Sequence, residues 1–156
     1  MRAVLQRVTR ASVSVGDDTI ASIARGFVVL LGVGEADRAE DAQRLAGKIA
    51  ELRIFDDEQG KMNRSLRDVA GSALVVPQFT LYADARHGRR PDLARAASAT
   101  DGRRLYEAFV GFLRGREVTV ETGRFGAHMR VSLENDGPVT VVLTTDGWEE
   151  GDLATR

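Results

Sequence analysis

Apolar and polar positions alternate along much of this chain, and two stretches of helical spacing interrupt the alternation. Residues 2–9 and 11–15 alternate with a period of two, Ala11-Ser12-Val13-Ser14-Val15 most cleanly, and predict two strands. Gly16-Asp17-Asp18 is a turn signal ahead of Thr19-Ile20-Ala21-Ser22-Ile23, so a hairpin is expected there. Phe27-Val28-Val29-Leu30-Leu31-Gly32-Val33 is apolar on both faces, the pattern of a central strand. Ala42, Leu45, Ala46, Ile49 and Leu52 then follow helical spacing and predict an amphipathic helix over about 38–52. Asp37 is its expected N-cap, with Glu40 completing a capping box. Ile54-Phe55 restarts an extended segment, and the acidic run from Asp56 to Lys61 is an exposed turn.

Leu74 to Asp84 carries no charge before Asp84 and is rich in β-branched and aromatic residues, which reads as a buried strand. Pro77 lacks an amide donor, so that strand must lie at a sheet edge, bulge or break there. Gln78 sets an amide beside Phe79 in apolar surroundings, where it is costly unless something bonds it. A kink at this point turns backbone N–H groups away from the ladder, free to serve a ligand. Thr100 or Asp101 caps a second helix with Leu105, Phe109, Phe112 and Leu113 on one face, stopped near Gly115. Glu117 to Glu121 alternates as a half-buried strand. Met129 to Leu133 and Val139 to Leu143 read as a closing strand pair, joined as a hairpin by Asn135-Asp136-Gly137-Pro138. On local grounds the Gly137–Pro138 bond is expected trans, because only about 5–6% of X–Pro bonds in folded proteins are cis. Strands with two main helices place the chain in the α+β class.

Length predicts one domain, residues 1–145, followed by a flexible, glycine- and acid-rich tail, 146–156. No apolar run approaches a membrane span, and the opening residues lack a signal peptide's apolar core, so a cytoplasmic protein without membrane partners is expected. The net charge of −1 argues against a generic nucleic-acid binder, and DNA is not expected as a partner. Distribution changes that picture locally. Residues 84–95 hold four arginines and a histidine, a loop able to meet a phosphate backbone.

Candidate chemistry is sparse. There is no cysteine, which removes disulfides and thiolate nucleophiles. His87 and His128 are the only histidines, and no Gly-x-Ser-x-Gly elbow accompanies them. Two histidines forty-one positions apart make a poor zinc set, and the oxygen spacing of 56–61 is wrong for calcium. Gly32-Val33-Gly34 lacks the third glycine of a dinucleotide fingerprint, since position 37 is Asp37. No metal and no cofactor is expected. An enzyme with this inventory works through backbone dipoles and through groups on its substrate.

Pro77-Gln78-Phe79-Thr80-Leu81-Tyr82-Ala83 together with Asn135-Asp136-Gly137-Pro138-Val139-Thr140 resembles the two signature motifs of the D-aminoacyl-tRNA deacylases. The resemblance runs from Met1 to about Thr144. It takes in Gln6-Arg7-Val8, Gly88-Arg89-Arg90-Pro91 and Glu121-Thr122-Gly123-Arg124-Phe125-Gly126. It implies a homodimer of barrel-like mixed-sheet domains with helices outside, hydrolysing the ester between a D-amino acid, or glycine, and the terminal ribose of tRNA. Glycine mischarged on tRNA-Ala is included. By the same resemblance, Phe79 and Thr80 bind the scissile ester through backbone N–H groups, Gln78 supports the pocket, and the ribose 2′-OH activates the attacking water. A cis Gly137–Pro138 peptide enters the partner subunit's pocket as a chiral filter. Arg7 holds that turn, and Met129 and Asn135 stand with it on the substrate side. Arg86, Arg89 and Arg90 are the implied contacts to tRNA. The family usually has Ser where this chain has Pro77. A sister branch acting on mischarged L-alanine also has proline there, but Phe79 and Val139 keep this chain with the main branch. Two rival readings are a non-catalytic tRNA- or ribosome-binding module and a small-molecule ester or amide hydrolase on the same scaffold.

Overall fold

A computed structural model describes residues 1–147, and its architecture is built round the first strand, β1 (Arg2–Val15). Sequence alternation divides this strand in two because Val8 pairs with Asn135 and Arg10 with Glu134, leaving Thr9 as an extra residue. Side chains change face there: Arg7 and Val8 are both buried, Thr9 and Arg10 both exposed. The backbone nevertheless runs on as one strand.

β1 pairs antiparallel with β2 (Asp18–Ile23) and with β3 (Gly26–Gly32). After β3 come α1 (Ala39–Glu51) and a small hairpin of β4 (Phe55–Asp56) and β5 (Met62–Arg64). β6 (Ser72–Pro77) lies parallel to β3, and α2 (Ala99–Arg114) leads to β7 (Thr119–Thr122), parallel to β6. The strand order is β2-β1-β3-β6-β7, and β8 (Arg130–Thr144) also pairs with β1. The mixed sheet forms a nearly closed barrel with both helices on its outside, as the α+β expectation has it.

Period-two alternation builds two cores from these strands. Phe27, Val29 and Leu31 of β3, with Ala73 and Val75 of β6, pack with Leu45 and Ile49 of α1 and Leu105 and Phe109 of α2. Val28, Leu74 and Val76 point the other way and pack with Val8, Val13 and Ile23 inside the barrel. Each fully buried aliphatic side chain is worth about 1.5–3 kcal/mol.

Three local expectations are corrected. Arg38, not Asp37, is the N-cap of α1, and Asp41 rather than Glu40 accepts its backbone N–H, at 2.9 Å. Asp37 is otherwise engaged: its carboxylate accepts from Gly34 N–H at 2.6 Å and Tyr82 Oη at 3.1 Å, and meets the Met1 ammonium. For α2 the cap is Ser98, whose Oγ accepts from Asp101 N–H at 3.1 Å. The strand expected over 74–84 ends at Pro77, opposite Leu31, and a 3-10 turn (Phe79–Tyr82) follows. β6 is interior, so Pro77 breaks the strand at its end instead of marking a sheet edge. Of the expected tail, Asp146 is held by Arg2 at 3.2 Å, and everything from residue 148 onward lies outside the described residues.

The largest correction concerns 129–143. No hairpin forms. Arg2 pairs with Thr144, Gln6 with Thr140, Val8 with Asn135 and Ser14 with Arg130, so both halves belong to one 15-residue strand along β1.

Candidate functional site

Pro77 ends β6 because it has no N–H to continue the ladder. Gln78 N–H still bonds Leu31 carbonyl at 2.8 Å, and the next N–H with a partner is Leu81, to Gln78 carbonyl at 3.2 Å. Between them, Phe79 and Thr80 hold backbone N–H groups without an acceptor among the described residues. The Gln78 amide is satisfied locally, donating to Thr80 Oγ1. Phe79 is 59% exposed, an unusual state for a ring that size, and it borders a cavity of about 360 Å³.

Four segments wall that cavity. Leu31 and Val33 come from the end of β3, and Pro77, Gln78 and Phe79 from the strand break. Ala97, Ser98, Ala99, Gly102 and Tyr106 come from the start of α2, and Phe125 to Ala127 with Met129 from the loop before β8. Glycines let these segments close up. A Cβ on Gly102 would meet the Phe125 ring at 3.4 Å, and one on Gly123 would stand 2.9 Å from Met129 Sδ. Arg124 N–H reaches the same sulfur at 3.3 Å. Tyr106 donates its hydroxyl to Val75 carbonyl at 2.8 Å, and burial pushes the phenol's pKa far up, so it is not a base near neutral pH. Among the described residues no carboxylate or imidazole lines the cavity; His87 is exposed on the arginine-rich loop, and His128, between the lining residues Ala127 and Met129, is exposed and not part of the wall. The site offers backbone donors and apolar walls.

The second candidate feature is a bulge. Asp136, Gly137, Pro138 and Val139 all stand opposite the single residue Arg7. Arg7 is 6% exposed and is held through Nε and Nη1, since a buried cation needs partners. Its Nε donates to Asp136 carbonyl at 2.9 Å and faces the Asp136 carboxylate at 3.3 Å. Nη1 donates to Ile54 carbonyl at 2.8 Å and to Asp56 at 3.3 Å. Asn135 staples the loop across its base: Nδ2 donates to Val139 carbonyl at 3.1 Å, and Val139 N–H returns to Oδ1 at 2.9 Å. Gly137 has φ +153°, and a Cβ there would lie 2.4 Å from Val139 N. The Gly137–Pro138 bond is cis, against the trans expectation from local sequence. Both residues are exposed, and neither lines the cavity of its own chain.

The third feature is the arginine loop. Asp84 and Asp92 exchange N–H···O bonds of 2.8 Å each and pinch it at the base. Arg86 grips the Asp84 carboxylate through Nε at 2.9 and 3.0 Å, which holds that carboxyl far below the ordinary range. Arg89 and Arg90 are exposed beyond the pinch.

The sequence-derived residues thus fall in three places. Gln78, Phe79 and Met129 line the cavity, with Thr80 exposed beside it. Arg7, Asn135, Gly137 and Pro138 form or hold the bulge, while Arg86, Arg89 and Arg90 lie on the loop. The sequence marks no site role for Tyr106, which follows Leu105 within the second helix and reads as part of its packing, or for Ala99, which precedes the expected caps Thr100 and Asp101. Phe125 lies in the Glu121 to Gly126 segment, whose resemblance implies no role for that ring.

A profile of the D-Tyr-tRNA(Tyr) deacylase family matches residues 4–144, spanning β1, the strand break and the bulge. The chain belongs to that family. It is therefore an enzyme of the hydrolase class. This deacylase-family chain is 57% identical over 143 residues to a D-aminoacyl-tRNA deacylase from Thermus aquaticus, covering 92% of this chain and 94% of the relative. It is 54% identical over 153 residues to the one from Thermomicrobium roseum, covering 98% and 99%. Among solved structures, a protein named c-Myc DNA Unwinding Element Binding Protein superposes with a TM-score of 0.87 at 41% identity, covering 93% of this chain and 99% of that one. A probable eukaryotic D-amino acid tRNA deacylase shares the fold, with a TM-score of 0.77 at 21% identity over 91% of this deacylase-family chain and 97% of the other.

Proposed function

We propose that this chain hydrolyses the ester joining a D-amino acid, or glycine mischarged on tRNA-Ala, to the 3′-terminal ribose of tRNA. The observation that carries this reading is a cavity that, among the described residues, has two unpaired backbone N–H groups at its rim and no side-chain base, in a chain of a deacylase family. The scissile carbonyl oxygen lies against the N–H groups of Phe79 and Thr80. Water adds to the carbonyl carbon, the oxygen takes up negative charge, and the two N–H dipoles stabilise it; one such donor is worth about 2.7–4 kcal/mol of barrier. The ribose 2′-OH orients the water and passes its proton toward the departing 3′-oxygen. Free amino acid and tRNA with an intact 3′-OH are released. Gln78 and Met129 shape the pocket.

Stereochemical choice comes from a second copy of the chain. The bulge is held on both sides, yet Gly137 and Pro138 are exposed and remote from their own chain's cavity, which supports insertion into a neighbour. Among the described residues β8 is paired only with β1, and it exposes Val131, Leu133 and Val142, a suitable surface for a homodimer. In the partner's pocket the carbonyls of Gly137 and Pro138 face the substrate Cα, where a D-residue or glycine presents hydrogen and an L side chain collides.

The test is deacylation of D-Tyr-tRNA, Gly-tRNA-Ala and L-Tyr-tRNA without added metal, alongside D-Tyr-tRNA ending in 2′-deoxyadenosine. The first two are expected to be cleaved, and the L-ester and the 2′-deoxy substrate spared. Equal cleavage of the L-ester removes the chiral filter. Binding of tRNA without cleavage returns the chain to a tRNA- or ribosome-binding module. Indifference to the 2′-OH, with cleavage of simple esters, makes it a small-molecule hydrolase.

A further inference from the structure

A second cavity lies beside the apolar one, and cations line it. Arg2, Tyr82, Ala83, Asp84, Arg86 and Arg95 border a space of about 400 Å³. Two segments run from one cavity to the other. The 3-10 turn carries Phe79 at the apolar cavity and Tyr82 at the basic one. At about 2 Å of rise per residue, those positions are about 6 Å apart along the turn. The stretch leading into α2 carries Arg95 at the basic cavity and Ala97 at the apolar one. A single nucleotide spans such a gap from its sugar to its own phosphate.

The three arginines are not equivalent. Arg2 donates to Leu81 carbonyl at 3.0 Å and to Asp146 at 3.2 Å, and its guanidinium lies 4.5 Å from the centre of the Tyr82 ring. Arg86 is committed to Asp84. Two carboxylates therefore answer two arginines. Arg95 is the excess charge: it is exposed, makes no ion pair among the described residues, and stands where its field reaches Asp84. Its main chain is fixed, because its carbonyl accepts Glu35 N–H at 3.1 Å. A guanidinium on an anchored backbone, with its donors uncommitted, suits the forked recognition of phosphate oxygens.

We propose that this cavity is a phosphate subsite for the tRNA acceptor strand. It binds the phosphodiester on the 5′ side of the terminal nucleotide, with Arg95 as donor and Arg2 and Arg86 as charged walls. The inference rests on the deacylase reading, which puts the scissile ester against Phe79 and Thr80 at the apolar cavity; with the terminal nucleoside seated beside it, the next group along the strand is this phosphate. Such a contact carries no sequence information and sets where the ester lies.

The probes are two stable amides: 3′-(D-tyrosylamino)-3′-deoxyadenosine, and the same compound bearing a 5′-phosphate methyl ester. Binding of each is measured calorimetrically to the wild-type chain, to Arg95→Gln and to Arg95→Lys. The phosphate is expected to tighten wild-type binding about tenfold, the scale of one charge-assisted hydrogen bond. Arg95→Gln is expected to bind the nucleoside as before and lose that gain, and Arg95→Lys to keep part of it. The subsite is overturned if the phosphate adds nothing to the wild-type chain, or if Arg95→Gln keeps the full gain; in both cases the nucleoside still binds and the deacylase reading stands. Failure of both compounds to bind the wild-type chain sinks that reading and the subsite with it.

Discussion

Arg7 joins three elements through one guanidinium: it stands on β1 and serves the carbonyl of Ile54 ahead of β4 and the bulge in β8. Replacement by methionine fills similar volume but leaves the Ile54 and Asp136 carbonyls and the Asp136 carboxylate without their donor. Loss of one partner from a buried charged cluster costs about 3–5 kcal/mol. The Asp56 and Asp136 side chains are about half exposed and recover water, so about 2–3 kcal/mol is expected for Arg7→Met, read from urea midpoints. The same variant is expected to lose preference for D- over L-Tyr-tRNA before it loses hydrolysis, because Arg7 touches the bulge and not the cavity. A parallel fall in both activities would detach Arg7 from selection. Arg7→Lys is no remedy, since a single ammonium cannot serve both directions of the fork.

At the scale of elements, the arginine loop has an acid-sensitive base. Arg86 holds the folded-state pKa of Asp84 far below its unfolded value of about 3.9, so Asp84 stabilises the fold fully above that pH and ceases to as pH falls toward the folded value. The gap in urea midpoint between the wild-type chain and Asp84→Asn is expected to be constant from pH 7 to pH 5 and to narrow below about pH 4. A gap unchanged down to pH 2 would mean that the Arg86 pair contributes nothing to stability. Elements were legible wherever the deciding contact is local. The periodicity of 42–52 and of 105–113 located both helices, and the alternation in β2 and β3 located those strands. Helix starts were misplaced by one to three residues because several adjacent side chains can cap and packing chooses among them. Asp37 was lost as a cap to partners remote in sequence, Met1 and Tyr82. The bulge was read as a hairpin for a deeper reason. Asp-Gly between two alternating segments serves a hairpin and a bulge equally well, and only the partner strand decides. That partner is β1, more than a hundred residues earlier. Of the site, Pro77 and Gln78 are visible as residues that do not fit a buried strand, whereas Tyr106 and Ala99 join the cavity only through the docking of α2.

For the whole molecule, the proposed sharing of a site between two chains makes a prediction about mixtures. Gly137→Ala forces a Cβ against Val139 N and so displaces the bulge. Ala99→Trp fills the cavity from the first turn of α2, at an exposed position that tolerates bulk. Neither homodimer is expected to hydrolyse D-Tyr-tRNA selectively. A mixed dimer pairs the open cavity of the Gly137→Ala chain with the intact bulge of the Ala99→Trp chain, restoring one selective site in two. Absence of selective activity after confirmed subunit exchange would place the filter within one chain. The pairing of the first strand with the last also matters before the protein is complete. β2 and β3 can join β1 once residue 32 has left the ribosome, but β8 is not made until residue 144. At ribosomal rates, one side of β1 waits on the order of 10 s, an open template for any other extended chain nearby. Arg2, Arg7 and Arg10 punctuate that strand, and charge on an open edge discourages such pairing. The arginine that anchors the bulge in the finished enzyme thus belongs to the guard on the nascent one.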